Sequence, residues 1–515
     1  MKDRYLSSGC YGAAVALALV ALAATPTRQA DAQVNKNWIT VALQAEPEGL
    51  EPCMSSRAHQ GRVIKYNVTE TLIQKKPEDG ALVPRLATSW EQLNPETWQI
   101  KLRSGVTFHD GSPLNAENVK KSLERNWSKP LTCGDKGKFF GDVNIEATAI
   151  DDLTLQIKTS RPEPILPMRL TGMVIAGPKT PIDKAVIDPV GTGPYVFDSW
   201  QPGQQILLKR NEKYWGPKPQ IEGIRYIWRQ ESSVRASMVK IGEADLAVTI
   251  APQDATDPKL DFSFLNSETT FLRIDVEKAP MNDKRVRLAL NYALDRDSIP
   301  GSILPKGALR ASQMVMPSIP GHNHDLDKKM LPYDPAKARQ LLAEAKAAGV
   351  PVDKEILFVS NPTSYPNASE VAEAFLAMYR AVGFNMKTLA AEPGQYQEFQ
   401  NKPFKEDRQP ILLQSSHDNN FGDPVFSVFY KYGCEGSTSA FCDPGFDRDV
   451  VRVSGLGGEA RQKGWQEVFR YLAEDAVPSV FLYHMVGFMR VGPRVQFVPD
   501  VTSNAEIRIE EIKFR

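Results

Sequence analysis

Residues 334–349 spell out one complete helix, and that spelling recurs along the chain. Asp334 and Pro335 open it, Ala338, Leu341, Leu342 and Ala345 fall on one face, and Gly349 stops it. Residues 367–383 and 459–475 read the same way, the latter with Trp465, Val468, Phe469 and Leu472 as its buried stripe. Asn115 caps a further helix whose Ala116, Val119 and Leu123 are spaced i, i+3 and i+7. Between such helices stand strand-like runs: residues 38–43, residues 98–102 ahead of an Asp110-Gly111 turn, and residues 411–413. Helices alternating with strands exclude both a bundle and a sandwich, so the fold class is mixed α/β.

The strand-like run Ile411, Leu412, Leu413 gives way to polar residues 415–420 before Asp423 and Pro424 open a helix carrying Val425, Phe426, Val428 and Phe429. Polar groups at the end of a buried strand need partners, because an unpaired one costs about 1–3 kcal/mol. Asp423 has a local use as an N-cap, with Pro424 at the first helical position. Asp418 has none. Two readings stand open for it: a solvated loop carboxylate, or a carboxylate reserved for a cationic ligand group.

The first residues read as a secretory leader rather than as part of the fold. Lys2 and Arg4 precede an apolar, Ala-rich run over 11–24, and Ala30-Asp31-Ala32 offers a cleavage site, so residues 1–32 are expected to be removed. The run is shorter than the roughly 20 residues a membrane span needs, and no later stretch is apolar enough. Cys10 precedes the run where a lipoprotein cysteine would follow it, so a soluble exported protein without a lipid anchor is expected. The 62 basic residues balance 62 acidic ones, which gives no electrostatic reason for a nucleic acid or an anionic membrane as partner. Four further cysteines, Cys53, Cys133, Cys434 and Cys442, allow three pairings in an exported protein. Nearest-neighbour pairing, Cys53 with Cys133 and Cys434 with Cys442, is expected.

Catalytic signatures are missing. There is no H-E-x-x-H, G-x-S-x-G or P-loop, and Gly191-Thr192-Gly193 precedes strand-like residues instead of a helix, so its glycines are expected to serve a turn. Ser237 and Lys240 match S-x-x-K without its companion motifs and read as surface positions of a helix. His322-Asn323-His324 suggests a metal, but no carboxylate or cysteine stands at a clear ligand spacing, so a solvated loop is expected, with no metal and no cofactor.

The segment W-x-x-x-L-R-x-G-V-x-F-H-D-G-x-P-x-x-A-x-x-V, beginning at Trp98 and including His109, resembles the signature of the family 5 extracellular solute-binding proteins, the dipeptide, oligopeptide and nickel binders of ABC importers. Residues 191–197 (GTGPYVF), 208–216 (LKRNEKYWG), 241–247 (IGEADLA), 279–299 and 333–345 continue the likeness in the family's order, so that it covers most of the chain from about 43 to 491. The resemblance implies a two-lobed periplasmic-binding-protein fold of the large class, with the ligand between lobes joined by crossing strands. Carried over, lobe I is 33–72, 186–277 and 485–515, an extra domain is 73–185, and lobe II is 278–484. His109 would be structural.

In peptide-binding members an aspartate shortly before the proline of a D-x-x-x-P segment pairs with the ligand's α-ammonium, and the ligand lies as an added strand. Here the corresponding position holds Asn420, with Asp418 two residues earlier. Either Asp418 is the ammonium partner in a longer loop, or Asn419 and Asn420 recognise an uncharged polar ligand. Further candidates by position are Ser56 and Arg57 after the first strand, Ser416 and His417, Tyr396, Tyr483 and His484, the two histidines as donors or as satisfied core groups. The implied function is the binding component of an ABC importer, a monomer that hands a peptide or peptide-like solute to a membrane permease without catalysis. A non-peptide solute (a sugar derivative, an opine-like compound or a metal chelate), an exported hydrolase, and a chaperone or sensory role are the alternatives.

Overall fold

A computed structural model describes residues 36–515 except Asp79, Thr132, Asp142, Thr363, Asn420 and Phe421. The leader, its cleavage site and Cys10 lie outside the described residues. Eleven strands form the main sheet: β1 (Trp38–Leu43), β2 (Tyr195–Gln201), β3 (Gln205–Arg210), β4 (Gly223–Trp228), β5 (Leu246–Ala247), β6 (Asp261–Ile274), β7 (Leu309–Arg310), β8 (Ile356–Ser360), β9 (Met386–Ala390), β10 (Ile411–Asp418) and β11 (Ser479–Val491). Their order is β2-β3-β4-β1-β5-β11-β6-β10-β8-β9, with β7 on β11. The first half mixes parallel β1–β4 and β1–β5 pairs with antiparallel ones, and the second half pairs β8 in parallel with both β9 and β10.

Long strands β6 and β11 run antiparallel through the middle and carry the chain between the two halves. Their ladder breaks between Leu265 and Thr269, where Ser267 takes a left-handed φ of 64°. A non-glycine residue held there costs of order 1–3 kcal/mol and persists only when its surroundings enforce it. Beyond the break, residues 268–274 pair with β10 on one side and β11 on the other.

Separate cores accompany the two halves. One gathers Val41, Val63, Tyr226 and Ile507; another gathers Leu290, Phe358, Phe375 and Leu482. A third core fills a four-stranded antiparallel sheet (Ala87–Asn94, Thr97–Leu102, Thr154–Thr159, Ile145–Asp151) covered by the helix Ala116–Asn126. That helix begins as expected, with the Asn115 side chain accepting from Asn118 N at 2.9 Å. The disulfides Cys53–Cys133 and Cys434–Cys442 are formed, as nearest-neighbour pairing requires.

Some local expectations change. The strand β10 runs on to Asp418, so residues 415–418 are ladder rather than loop. Asp423 does accept from Val425 N at 2.9 Å, but its carboxylate is also buried against Arg461 at 2.8 Å. In the helix Val425–Tyr432 that follows, Val428 is buried while Phe429 is exposed. Gly191 and Gly193 do not make a turn of positive φ. A Cβ at either would overlap the backbone of residues 67–69, so the glycines permit two chain segments to touch. His109 is structural as expected, its Nε2 donating to Gly193 O at 2.9 Å. Ser237 and Lys240 are exposed on the helix Ser232–Lys240.

Candidate ligand-binding cleft

A pocket of about 30 Å³ is lined by Ser55, Ser56, Lys65, Lys75, Phe139, Glu506 and Arg508, among others. Ser55 and Ser56 are set by a residue far away in sequence: Asp135 accepts from Ser55 Oγ at 2.7 Å and from both backbone N–H groups at 3.0 Å. The neighbouring Cys53–Cys133 disulfide ties the same two segments. Asp135 is buried, which raises its carboxyl, and the serine donors oppose that rise.

Cations crowd this wall. Lys65 and Arg508 both pair with the buried Glu506, at 2.9 and 2.8 Å. Burial disfavours the charge of Glu506, but the two cations outweigh it and hold the carboxyl below its ordinary range. The rings and charges interleave, with Lys65, Arg85 and Arg508 lying over the Tyr66 ring at 5.5, 5.7 and 4.9 Å. Arg508 Nε is buried with no hydrogen-bond partner among the described residues. Lys75, half-buried, is pushed down to about 8 by burial, with Glu506 and Asp418 opposing the shift and Lys65 adding to it.

An acidic pair from β6 and β10 stands near Lys75 without lining this pocket. Glu268 and Asp418 are direct register partners on these adjacent strands. Ser267 Oγ donates to Asp418 Oδ1, which ties the carboxylate to the break in β6. Burial pushes the Glu268 carboxyl up to about 7; the Ser416 hydrogen bond restrains it and the Asp418 charge raises it further. Asp418 lies within electrostatic reach of both Lys75 and Lys138. A Cβ at Gly422 would stand 3.1 Å from Lys75 Nζ, and Arg169 lies 5.2 Å over the Phe426 ring, so the walls touch. The pocket therefore has room for water but is far below the ~300 Å³ at which solute sites begin. Entry of a ligand requires the walls to separate.

Of the candidates named from sequence, the structure brings Ser56, Ser416 and Asp418 to this region. His417 is beside them, but its Nε2 meets Ser427 Oγ at 2.9 Å, and burial together with the Lys431 charge keeps the ring neutral. Four others are corrected, and His484 follows the second of its two readings, a satisfied core group. Asn419 is buried and used up internally: its Nδ2 donates to Ser427 Oγ at 2.7 Å and its Oδ1 accepts from Gly422 N at 3.2 Å. Arg57 is exposed and paired with Glu48, since the helix it precedes turns its side chain outward. Tyr396 is buried against Leu357, Ile411 and Leu413, its hydroxyl donating to Gln414 O at 2.9 Å. Tyr483 is buried in the lobe core and donates to Arg296 O at 2.8 Å. His484 bonds Thr269 Oγ1 at 2.9 Å and is pushed down to about 3 by burial and the nearby His322. Asn420 lies outside the described residues.

Sequence reasoning missed Lys65, Lys75, Glu268, Glu506 and Arg508. Glu268 sits in a strand that its composition does not mark as special. Glu506 and Arg508 reach the cleft from the C-terminal segment, more than 400 residues from Lys65 and Lys75.

Two half-sheets joined by crossing strands, with a polar cleft where they cross, define a two-lobed solute-binding protein. Residues 81–439 match the model of the bacterial extracellular solute-binding proteins, family 5 (middle region), and the chain belongs to that family. It is 26% identical over 503 residues to the dipeptide-binding protein of Escherichia coli strain K12, covering 90% of this chain and 92% of that one. It is 25% identical over 512 residues to heme-binding protein A of Haemophilus influenzae, covering 91% of each. Its fold superposes with a TM-score of 0.74 on the ABC transporter-associated periplasmic binding protein DppA from Helicobacter pylori in complex with the peptide STSA, at 21% identity, covering 93% of this chain and 98% of that one.

Proposed function

We propose that this protein captures a short zwitterionic solute, a peptide or peptide-like compound, between its lobes and delivers it to an ABC importer's permease without chemistry of its own. The observation that carries this reading is the opposition of charge across the cleft. Asp418 and Glu268, register partners on β6 and β10, are placed to receive an ammonium, and Lys65, Lys75 and Arg508, which line the pocket near them, to receive a carboxylate. The likeness to a dipeptide-binding protein supports the same ligand class. An exported, soluble monomer confined to the periplasm, released from a leader cut after Ala32, is the setting proposed for it. Lobe I is taken as 33–72, 186–277 and 485–515, the extra domain as 73–185 and lobe II as 278–484, a division supported by the separate cores.

Asp418→Asn tests the reading by calorimetry against dipeptides. Truncating one partner of a buried hydrogen-bonded charge pair costs about 2–5 kcal/mol, so affinity should fall by roughly 30-fold or more. Acetylating the peptide amine should cost the native protein as much and the variant little further. Affinity of the variant within about twofold of native, some 0.4 kcal/mol, would sink the ammonium role of Asp418. Turnover of any bound peptide on long incubation, seen by mass spectrometry, would sink the claim of no chemistry.

A further inference from the structure

His322, expected in a solvated loop, is only 2% exposed. It stands ahead of the short helix His324–Lys328, whose first turn supplies the carboxylate that the sequence seemed to lack. Asp327 follows His324 by three residues, one helical turn, and so returns to the same side as both histidines. His322 Nε2 lies 2.9 Å from Asp327 Oδ2, and His324 Nδ1 lies 3.5 Å from the same oxygen. The three ligand atoms all lie within 4.8 Å of one another. Around a tetrahedral ion with bonds of about 2.0–2.1 Å, ligand atoms sit roughly 3.3 Å apart, and the two measured separations bracket that value.

We propose that His322, His324 and Asp327 bind a divalent first-row transition-metal ion, with water or another small donor completing the shell. The groups behind the ligands are already in place. His322 Nδ1 faces Val315 O at 2.9 Å. A carbonyl only accepts, so Nδ1 carries a proton, and a metal ion would take the place of the proton that Nε2 shares with Asp327 Oδ2, the arrangement in which metal-bound histidines are usually held. Asp327 Oδ1 accepts from Ser312 Oγ at 2.6 Å, which leaves Oδ2 as the oxygen aimed at the histidines.

One protein group competes for His322 Nε2: Gln313 Nε2, at 3.2 Å. That amide also has Asn323 O at 3.0 Å and Ser312 Oγ at 3.1 Å within reach, three acceptors for its two hydrogens. Giving up the imidazole leaves both hydrogens used. The site is fixed on its inner side and open on its outer one, since the His324 side chain is 65% exposed. His484, whose ring centre is 6.5 Å from that of His322 and whose Nδ1 is taken by Thr269, stands behind the site without ligating. None of the three ligands lines the interlobe pocket. The proposal is thus independent of the solute that the cleft carries.

Tag-free, metal-stripped protein titrated with zinc chloride should take up one equivalent, and cobalt(II) in its place should give the visible ligand-field absorption of an imidazole–carboxylate site. His324→Ala, at an exposed position that leaves the fold intact, and Asp327→Asn should each weaken zinc binding by about tenfold or more. Asp418→Asn, in the cleft, should leave it unchanged. The proposal is overturned by absence of saturable zinc uptake in the native protein, or by affinity within twofold of native in His324→Ala. It is equally overturned if Asp418→Asn loses the ion while His324→Ala keeps it, which would put the metal in the cleft.

Discussion

Glu268 and Asp418 face each other on neighbouring strands, a placement that is unfavourable for two ionised carboxylates unless something else holds them there. Ser267 and the field of Lys75 hold Asp418, Ser416 restrains Glu268, and burial, with the Asp418 charge adding to it, raises the Glu268 carboxyl to about 7. A carboxyl raised on folding binds its proton more tightly in the native state than in the unfolded one. Its contribution to stability is therefore complete below the unfolded value near 4.5 and is lost as pH rises through about 7. Glu268→Gln, which keeps the shape and never ionises, should accordingly be more stable than the native protein at pH 8, with the difference shrinking steadily down to about pH 4.5. Urea denaturation of both proteins at several pH values measures it, and a difference that stays constant across that range would refute the buried-carboxyl account. A ligand ammonium between the two carboxylates would lower the Glu268 value, so the same variant links peptide affinity to pH.

Among the elements, the backbone contact of residues 191–193 with residues 67–69 makes the clearest demand on sequence. A Cβ at Gly191 would lie 2.1 Å from Val68 O, an overlap that side-chain rotation cannot relieve because both partners are backbone. Gly191→Ala should destabilise by about 1–3 kcal/mol, the range for overpacking a tight contact, read as a lowered denaturation midpoint. No loss would mean that the two segments part easily. Elements whose signals are local were legible in the sequence: the helix Pro335–Ala347 with its Asp334 cap and Gly349 stop, the strand Trp38–Leu43, the Asn115 cap. Elements whose form depends on remote partners were not. Polar residues 415–418 read as loop but extend a strand, because β6 supplies a ladder for them to join. Tyr396 and Tyr483 were placed in the cleft by position, whereas period-two alternation and neighbouring helices turn them into cores. Most of the cleft was illegible for the same reason: its charges come from segments near residues 65, 75, 268, 418 and 507, and only the crossing strands bring them together.

At the scale of the whole molecule, Lys75 meets the Gly422 loop and Arg169 meets Phe426, and the pocket that Lys75 lines holds no more than water, a contracted form. A solute that touches both walls can favour closure only by its differential affinity for the closed state, so an open form must be populated without it. Small-angle scattering should therefore give a larger radius of gyration for the ligand-free protein, falling on addition of a saturating dipeptide; identical values with and without ligand would contradict hinged closure. The break in the β6–β11 ladder at residues 266–268 is where that bending would be absorbed. The same pair of strands also governs when the molecule can come into being. β11 lies between β5 and β6, and Asn67 is bonded to Ile507 and Ile509, so both halves of the sheet await residues 479–509. At about 5–20 residues per second, a ribosome needs roughly 20 s or more to pass from β1 to β11. Until then the main sheet lacks its middle, and its first strands wait without the neighbour that joins the halves.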